Sequence, residues 1–258
     1  MEKIKSNFFV KFIRKNKYEK KFKHNKYLNL FKGVYRSFEE AQNHLPKNIS
    51  QSYDNEQSAK MYKDYASKIN SSDYPNLLWL SKFFDEDMKI FDLGGHIGIK
   101  QYAYKKFIDF PKNYNWTVHD MPAVMQEGQN FATQQNEKNI HFCENINGFD
   151  GFDILFCSGS LQYIDYNLGE NLKQVNSKPK HILISIPLFE KETIYTINHI
   201  GTAATVYILR NRNEFINGIL EAGYELVDDW RNEAKKCELP FNEEYSIYGY
   251  SGLYFKLK

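Results

Sequence analysis

The chain has 258 residues, enough for one α/β domain with additional helices but not for several large domains. It is 42% hydrophobic and 16% aromatic, which supplies a packed core and excludes a disordered chain. The formal charge of +2 conceals an uneven distribution: residues 1–32 hold eleven basic side chains against two acidic ones, leaving 23 against 30 over the rest. A mildly acidic body argues against a nucleic-acid partner. No apolar run approaches the roughly 18 residues of a spanning helix, and no apolar core with a small-residue cleavage site marks a secretory leader at the N-terminus. Cys143, Cys157 and Cys237 lie too far apart for a disulfide framework or a zinc site, which fits a reducing cytoplasm and predicts no metal.

Residues 1–32 form a basic arm in which Phe8, Phe9, Phe12 and Ile13 interleave with lysines at helical spacing. Such a helix either packs on the body by its aromatic side or lies on the anionic inner face of a membrane, and both readings stay open. Residues 33–86 are expected to form an N-terminal helical cap. Within it, Ser37-Phe38-Glu39-Glu40 is a capping box opening a helix that ends before Pro46, and residues 47–55 read as a loop. Residues 56–69 predict a helix with Ala59, Met61, Tyr62, Tyr65 and Ala66 on its apolar side, and Pro75 suits the first turn of another running through Phe84. Residues 87–258 carry the main domain. Strands are predicted near 88–93, 114–119, 139–143, 152–157 and 180–186, and helices near 98–109, 122–136 and 166–175. The runs Phe152–Cys157 and Ile182–Ile186 are almost continuously apolar, as parallel strands buried on both faces require. Residues 187–210 lack clear periodicity and are expected to cover the sheet's carboxyl edge. A helix over 211–222 ending at Gly223, a strand over 224–230, a link at 231–247 that walls a pocket, and a strand over 252–258 complete an α/β sheet with right-handed crossovers.

The chemistry gathers at strand ends. Ile90-Phe91-Asp92-Leu93-Gly94-Gly95-His96-Ile97-Gly98 is an apolar run meeting an acid and then a glycine-rich turn, the pattern of a strand emptying into a nucleoside- or phosphate-binding loop. It does not supply G-x-G-x-x-G, which argues against a nicotinamide-dependent oxidoreductase. Asp120 closes the next strand 22 residues after Gly98, where an acid bonds ribose hydroxyls in doubly wound sheets; it also suits the cap of a helix starting at Pro122. Ser158, Gly159 and Ser160 follow the fourth strand at the edge where open sheets bind ligands. Gln162 and Tyr163 are candidate lining of a substrate pocket. His199 is the candidate general base, as the histidine in the stretch expected to cover that edge. His119 is set aside because alternation along a strand sends it away from Asp120.

The D-x-G-G-x-x-G turn resembles the first motif of class I S-adenosylmethionine-dependent methyltransferases. Five segments in order, Phe31–Tyr35 with Ser37–Ala41, Phe91–Gly95, Trp116–Pro122, Cys157–Tyr163 and Ser251–Phe255, resemble a family of bacterial class I methyltransferases often associated with surface-polysaccharide gene clusters. The resemblance runs from about residue 30 to the end. It implies a Rossmann-like seven-stranded, mostly parallel sheet with its last strand antiparallel, helices on both faces and a helical cap. It further implies S-adenosylmethionine as cofactor, with Asp92, Gly94, Gly95 and Gly98 shaping the methionyl site, Asp120 on the ribose and Met121 against the adenine. The acceptor would be a small polar molecule such as a polysaccharide precursor, O-methylated on a sugar, sugar nucleotide or phosphate-type substituent. His96 stands where many relatives carry glycine, and Asp120 where glutamate is common. An NAD(P)-dependent oxidoreductase and a non-catalytic nucleotide-binding module of the same fold remain as alternatives.

Overall fold

The computed structural model describes residues 2–26, 28–61, 66 and 68–258, with side chains from Val10 onward. Its centre is a seven-stranded sheet in the order β10-β11-β6-β5-β2-β3-β4. The strands are β2 (Lys89–Leu93), β3 (Asn115–His119), β4 (Ile140–Phe142), β5 (Ile154–Ser158), β6 (His181–Ile186), β10 (Tyr224–Asn232) and β11 (Tyr250–Leu257). The pairs β2–β3, β2–β5, β3–β4 and β5–β6 are parallel, while β11 runs antiparallel to both β6 and β10. The sheet is the expected Rossmann-like one, last strand included.

Alternation along the strands divides two cores. On one face Ile90, Trp116, Ile154, Phe156 and Tyr254 meet α4 (Tyr74–Phe83), α5 (Ile99–Tyr104) and α6 (Pro122–Gln134). On the other Phe91, Leu93, Leu155, Ile184 and Phe255 meet α7 (Leu168–Gln174) and α8 (Arg212–Glu221). The latter two helices touch backbone to backbone: a Cβ on Gly169 would lie 2.5 Å from the Gly218 carbonyl oxygen. α5 is shorter than the periodicity predicts, ending at Tyr104.

Two regions differ from expectation. Residues 187–210 are a set of strands: β7 (Leu188–Phe189), β8 (Ile194–His199) and β9 (Ala204–Asn211). They join β1 (Leu30–Tyr35) in a second sheet of order β1-β8-β9-β7. Periodicity fails there because polar residues of β8 are buried and satisfied across the sheet. Thr196 Oγ1 donates to the Lys32 carbonyl at 3.1 Å, and Asn198 Nδ2 to that of Leu30 at 3.1 Å. The N-terminal cap is therefore not wholly helical, and the 32/33 boundary falls inside β1. It holds α2 (Phe38–Asn43), opened by the Ser37 cap as read, and α3 (Glu56–Lys60). Tyr62 and Tyr65, expected on the helix over 56–69, lie outside the described residues.

The arm forms α1 (Glu2–Lys23). Its second half docks on the body: Phe22 is 3% exposed with its ring edge-on to His199 at 5.3 Å, and Tyr18 Oη donates to the Phe31 carbonyl at 2.7 Å. Residues 10–17 are all exposed, Phe12 and Ile13 included; the side chains of Phe8 and Phe9 lie outside the described ones. Among the described residues no helix is long and apolar enough to cross a membrane. Docking by one half predicts an uneven response to truncation. Phe22→Ala costs about 3 kcal/mol in urea unfolding, whereas Ile13→Ala stays within about 0.5 kcal/mol. Equal losses would show that the whole helix is packed.

Candidate cofactor and acceptor site

The chain leaves β2 to build β3 and β4 on one side, then returns to β5 on the other, so the strand order reverses between β2 and β5. Ligands of open α/β sheets bind in the crevice beyond the carboxyl ends at this point. Both glycine-bearing turns of the sequence sit there.

Asp92, near the end of β2, faces Trp116 of β3, whose Nε1 donates to Asp92 Oδ2 at 3.0 Å. Asp92 is buried and its Oδ1 has no partner. Burial pushes its carboxyl up to about 7, against the lowering by the Trp116 hydrogen bond and with a smaller rise from Asp120. A Cβ on Gly95 would lie 2.3 Å from Asp92 Oδ2, so only glycine passes over this carboxyl. The turn bends through left-handed backbone at Gly94 (φ 72°), His96 (φ 58°) and Gly98 (φ 86°). At Gly94 a Cβ would meet Ser160 Cβ at 2.1 Å, and at Gly98 Ile140 Cδ1 at 2.0 Å. The glycines are thus required by the packing of the turn on its own neighbours, rather than by a ligand pressed on the side where a Cβ would stand.

His96 tolerates its left-handed conformation because its ends are held. Its backbone N–H donates to Asp120 Oδ2 at 2.8 Å, and its Nε2 meets the Ser58 carbonyl of α3 at 3.0 Å. Burial lowers the His96 imidazole, with Asp120 opposing; burial raises the Asp120 carboxyl, with His96 opposing. Asp120 Oδ1 accepts the Met121 N–H at 2.8 Å. Each Asp120 oxygen thus accepts one backbone donor and keeps a lone pair for a ligand diol. Met121, 40% exposed, leads into α6 beside it. Ala59 of α3 packs with Ile97 and Val124, and Ser58 Oγ donates to Thr202 Oγ1 at 3.0 Å, so α3 roofs the turn and ties it to the second sheet.

At the end of β5, Ser158 is paired with Ser185 and Gly159 is left-handed (φ 84°). Ser160 Oγ donates to the Leu93 carbonyl, fastening this turn to the first. Gln162 is 2% exposed; its Nε2 donates to the Gly159 carbonyl at 2.6 Å and its Oε1 has no partner. Tyr163 Oη donates to Asn198 Oδ1 at 2.9 Å, and its ring meets Tyr53 and Tyr207 edge-on. Sequence reasoning missed Arg210 of β9, which donates to the carbonyls of Leu161, Ile164 and Tyr166 at 2.9, 2.7 and 3.0 Å and clamps the loop after β5. It also missed Lys235 in the link after β10, whose Nζ would lie 3.1 Å from a Cβ on Gly159.

His199 is not placed as a base must be. It is 1% exposed, its Nδ1 accepts the Gly201 N–H at 3.0 Å, and its ring packs on Phe22; burial lowers its imidazole. It holds the β8–β9 turn. His119, as alternation predicts, turns away, its Nδ1 meeting the Cys143 carbonyl at 2.9 Å. Among the described residues no three His, Cys, Asp or Glu side chains gather to hold a metal ion.

The Asp92 carboxyl stands higher in the folded chain than the usual 3.8. Its contribution to stability is therefore fully present below about pH 4 and lost as pH rises towards 7. Urea midpoints taken from about pH 4.5 to 7.5 should show Asp92→Asn gaining on the wild type as pH rises. Parallel curves would mean that the carboxyl titrates normally.

No protein-family model and no curated protein sequence matches the chain. Solved structures do. Magnesium protoporphyrin IX methyltransferase from Synechocystis PCC 6803, with bound SAM, matches at a TM-score of 0.53 and 9% identity, over 80% of this chain and 93% of that one. An S-adenosylmethionine-dependent methyltransferase from Clostridium acetobutylicum matches at 0.51 and 13%, over 77% and 97%. The cyclase SpnF matches at 0.52 and 12%, over 83% and 98%. At such identities the likeness is one of fold: the chain has the Rossmann-like architecture of class I methyltransferases.

Proposed function

We propose that the protein is an S-adenosylmethionine-dependent methyltransferase that O-methylates a small polar acceptor. The observation that carries this reading is Asp120. It is a strand-end carboxylate fixed by two backbone N–H groups, one of them from the glycine turn, at the end of β3, the strand beside the point where the sheet reverses order. Its two remaining lone pairs suit the vicinal hydroxyls of a ribose, and exposed Met121 offers an apolar surface to a base. The residues present therefore fit the cofactor.

S-adenosylmethionine, when bound, supplies a methyl group on a cationic sulfur. The chain's part is to hold and to exclude. Asp120 orients the nucleoside, the α3 roof over His96 keeps water from the turn, and the loop clamped by Arg210 fixes the wall on the β5 side. With His199 sealed in the second sheet, the rate enhancement rests on alignment and water exclusion more than on a histidine base. The resemblance of the sequence favours a surface-polysaccharide precursor as acceptor. The exposed, basic stretch of α1 over residues 10–17 suits peripheral contact with an anionic membrane.

Calorimetry with S-adenosylhomocysteine tests the reading. The wild type should bind, and Asp120→Ala should weaken binding by about tenfold to a hundredfold, the scale of one or two charged hydrogen bonds. Saturable NADH binding with no response to S-adenosylhomocysteine would overturn it in favour of an oxidoreductase. Membrane contact is tested separately: the full chain should sediment with phosphatidylglycerol vesicles, and a chain lacking residues 1–17 should not.

A further inference from the structure

The link between β10 and β11 carries Lys235 back over the crevice. Its ammonium stands 5.4 Å from the centre of the Tyr250 ring. Its Nζ would lie 3.1 Å from a Cβ on Gly159, and Gln162 Nε2 would lie 3.7 Å from the same point. Lys100, the other lysine near this place, is already paired, its Nζ 2.6 Å from Asp73 Oδ1, which also accepts the Tyr104 hydroxyl at 2.8 Å. No carboxylate among the described residues pairs with Lys235. Its side chain is accessible to solvent, yet surrounding protein and the Lys100 charge hold its pKa down at about 8, against a smaller opposing effect of Asp73. Beside it Gln162 Oε1 is buried and lacks a donor. A lysine without a carboxylate partner and the amide of Gln162, whose oxygen lacks a donor, thus border one point at the end of β5. A buried acceptor left unmet, as Gln162 Oε1 is, costs free energy unless a ligand completes it.

We infer that Lys235 and Gln162 form an acceptor subsite that takes a hydroxyl-bearing small molecule through an oxyanion, phosphate or carboxylate. The ammonium binds the oxyanion and Gln162 Oε1 accepts from a hydroxyl. This inference rests on the methyltransferase reading for the word acceptor. The cofactor's sulfonium and the Lys235 ammonium in one crevice would repel, and an anionic acceptor offsets both. The cofactor's own carboxylate has the same chemistry, so the test must separate the two sources.

The probes are inorganic phosphate and acetate, titrated by calorimetry into the full chain with and without saturating S-adenosylhomocysteine. The proteins are wild type, Lys235→Met and Lys235→Arg, with thermal melts to verify folding. At least one probe should bind the S-adenosylhomocysteine complex of the wild type. Its affinity should fall about tenfold or more in Lys235→Met and persist in Lys235→Arg, while S-adenosylhomocysteine affinity stays equal in all three. Equal anion binding by wild type and Lys235→Met, or no anion binding by the wild type, would overturn the subsite. Competition between anion and S-adenosylhomocysteine, with weakened S-adenosylhomocysteine binding in Lys235→Met, would overturn the acceptor assignment and give the lysine to the cofactor's carboxylate. Lys235-dependent anion binding by a wild type that ignores S-adenosylhomocysteine would leave the anion subsite standing and sink the methyltransferase reading instead.

Discussion

A carboxyl group buried beneath a tight turn is the constraint around which the crevice is built. Asp92 sits inside the sheet's carboxyl end, where an uncompensated acid would be expensive, and the chain meets this with the indole N–H of Trp116 on the neighbouring strand. The turn must then cross above the carboxyl without a side chain at position 95, and it does so through alternating left-handed residues. That path aims the His96 N–H at Asp120 and the Gly94 N–H at the His119 carbonyl, 2.7 Å away. The ends of β2 and β3 are consequently tied twice, beneath the turn through Asp92 and above it through Asp120. Ser160 adds the end of β5 by its bond to the Leu93 carbonyl. Three strand ends are held at fixed spacing before any ligand arrives, so the crevice is preorganised.

The second sheet extends this rigidity to the β5 side. β6 passes through Pro187 into β7, and β9 then runs beside β7, bringing Arg210 under the loop that follows β5. A guanidinium donating to three carbonyls leaves that loop little freedom. Tyr163, bonded to Asn198 of β8, fixes the same loop from above. The wall opposite the glycine turn thus belongs to both sheets at once.

Much of this was legible in the sequence because its signals are local. Apolar runs such as Phe152–Cys157 mark parallel strands buried on both faces, and an acid followed by glycines marks where such a strand ends. The register of Asp120 and the rejection of His119 followed from simple alternation. What stayed hidden depends on distant partners. β8 shows no alternation because Thr196 and Asn198 are satisfied by β1, more than 160 residues away. His199 stood out as a base candidate for the same reason: nothing nearby in sequence reveals that Phe22, from the N-terminal helix, covers its ring. Lys235 sits in an irregular link, and only the fold brings it to Gly159.

The pairing of β1 with β8 also sets an order of events during synthesis. Leu30 is opposite His199, so β1 waits for 169 further residues before its partner exists. At ribosomal speeds of about 5–20 residues per second that interval is roughly ten to thirty seconds. β2, β3, β4 and β5 can assemble meanwhile, since each finds a neighbour among strands close in sequence. Until β8 emerges, Leu30 and Phe31 are apolar residues on a strand with an open edge, the kind of segment that recruits other chains. The lysines that precede them act on this waiting segment as well as on the finished protein, because like charges keep nascent chains apart while the strand has nothing to pair with.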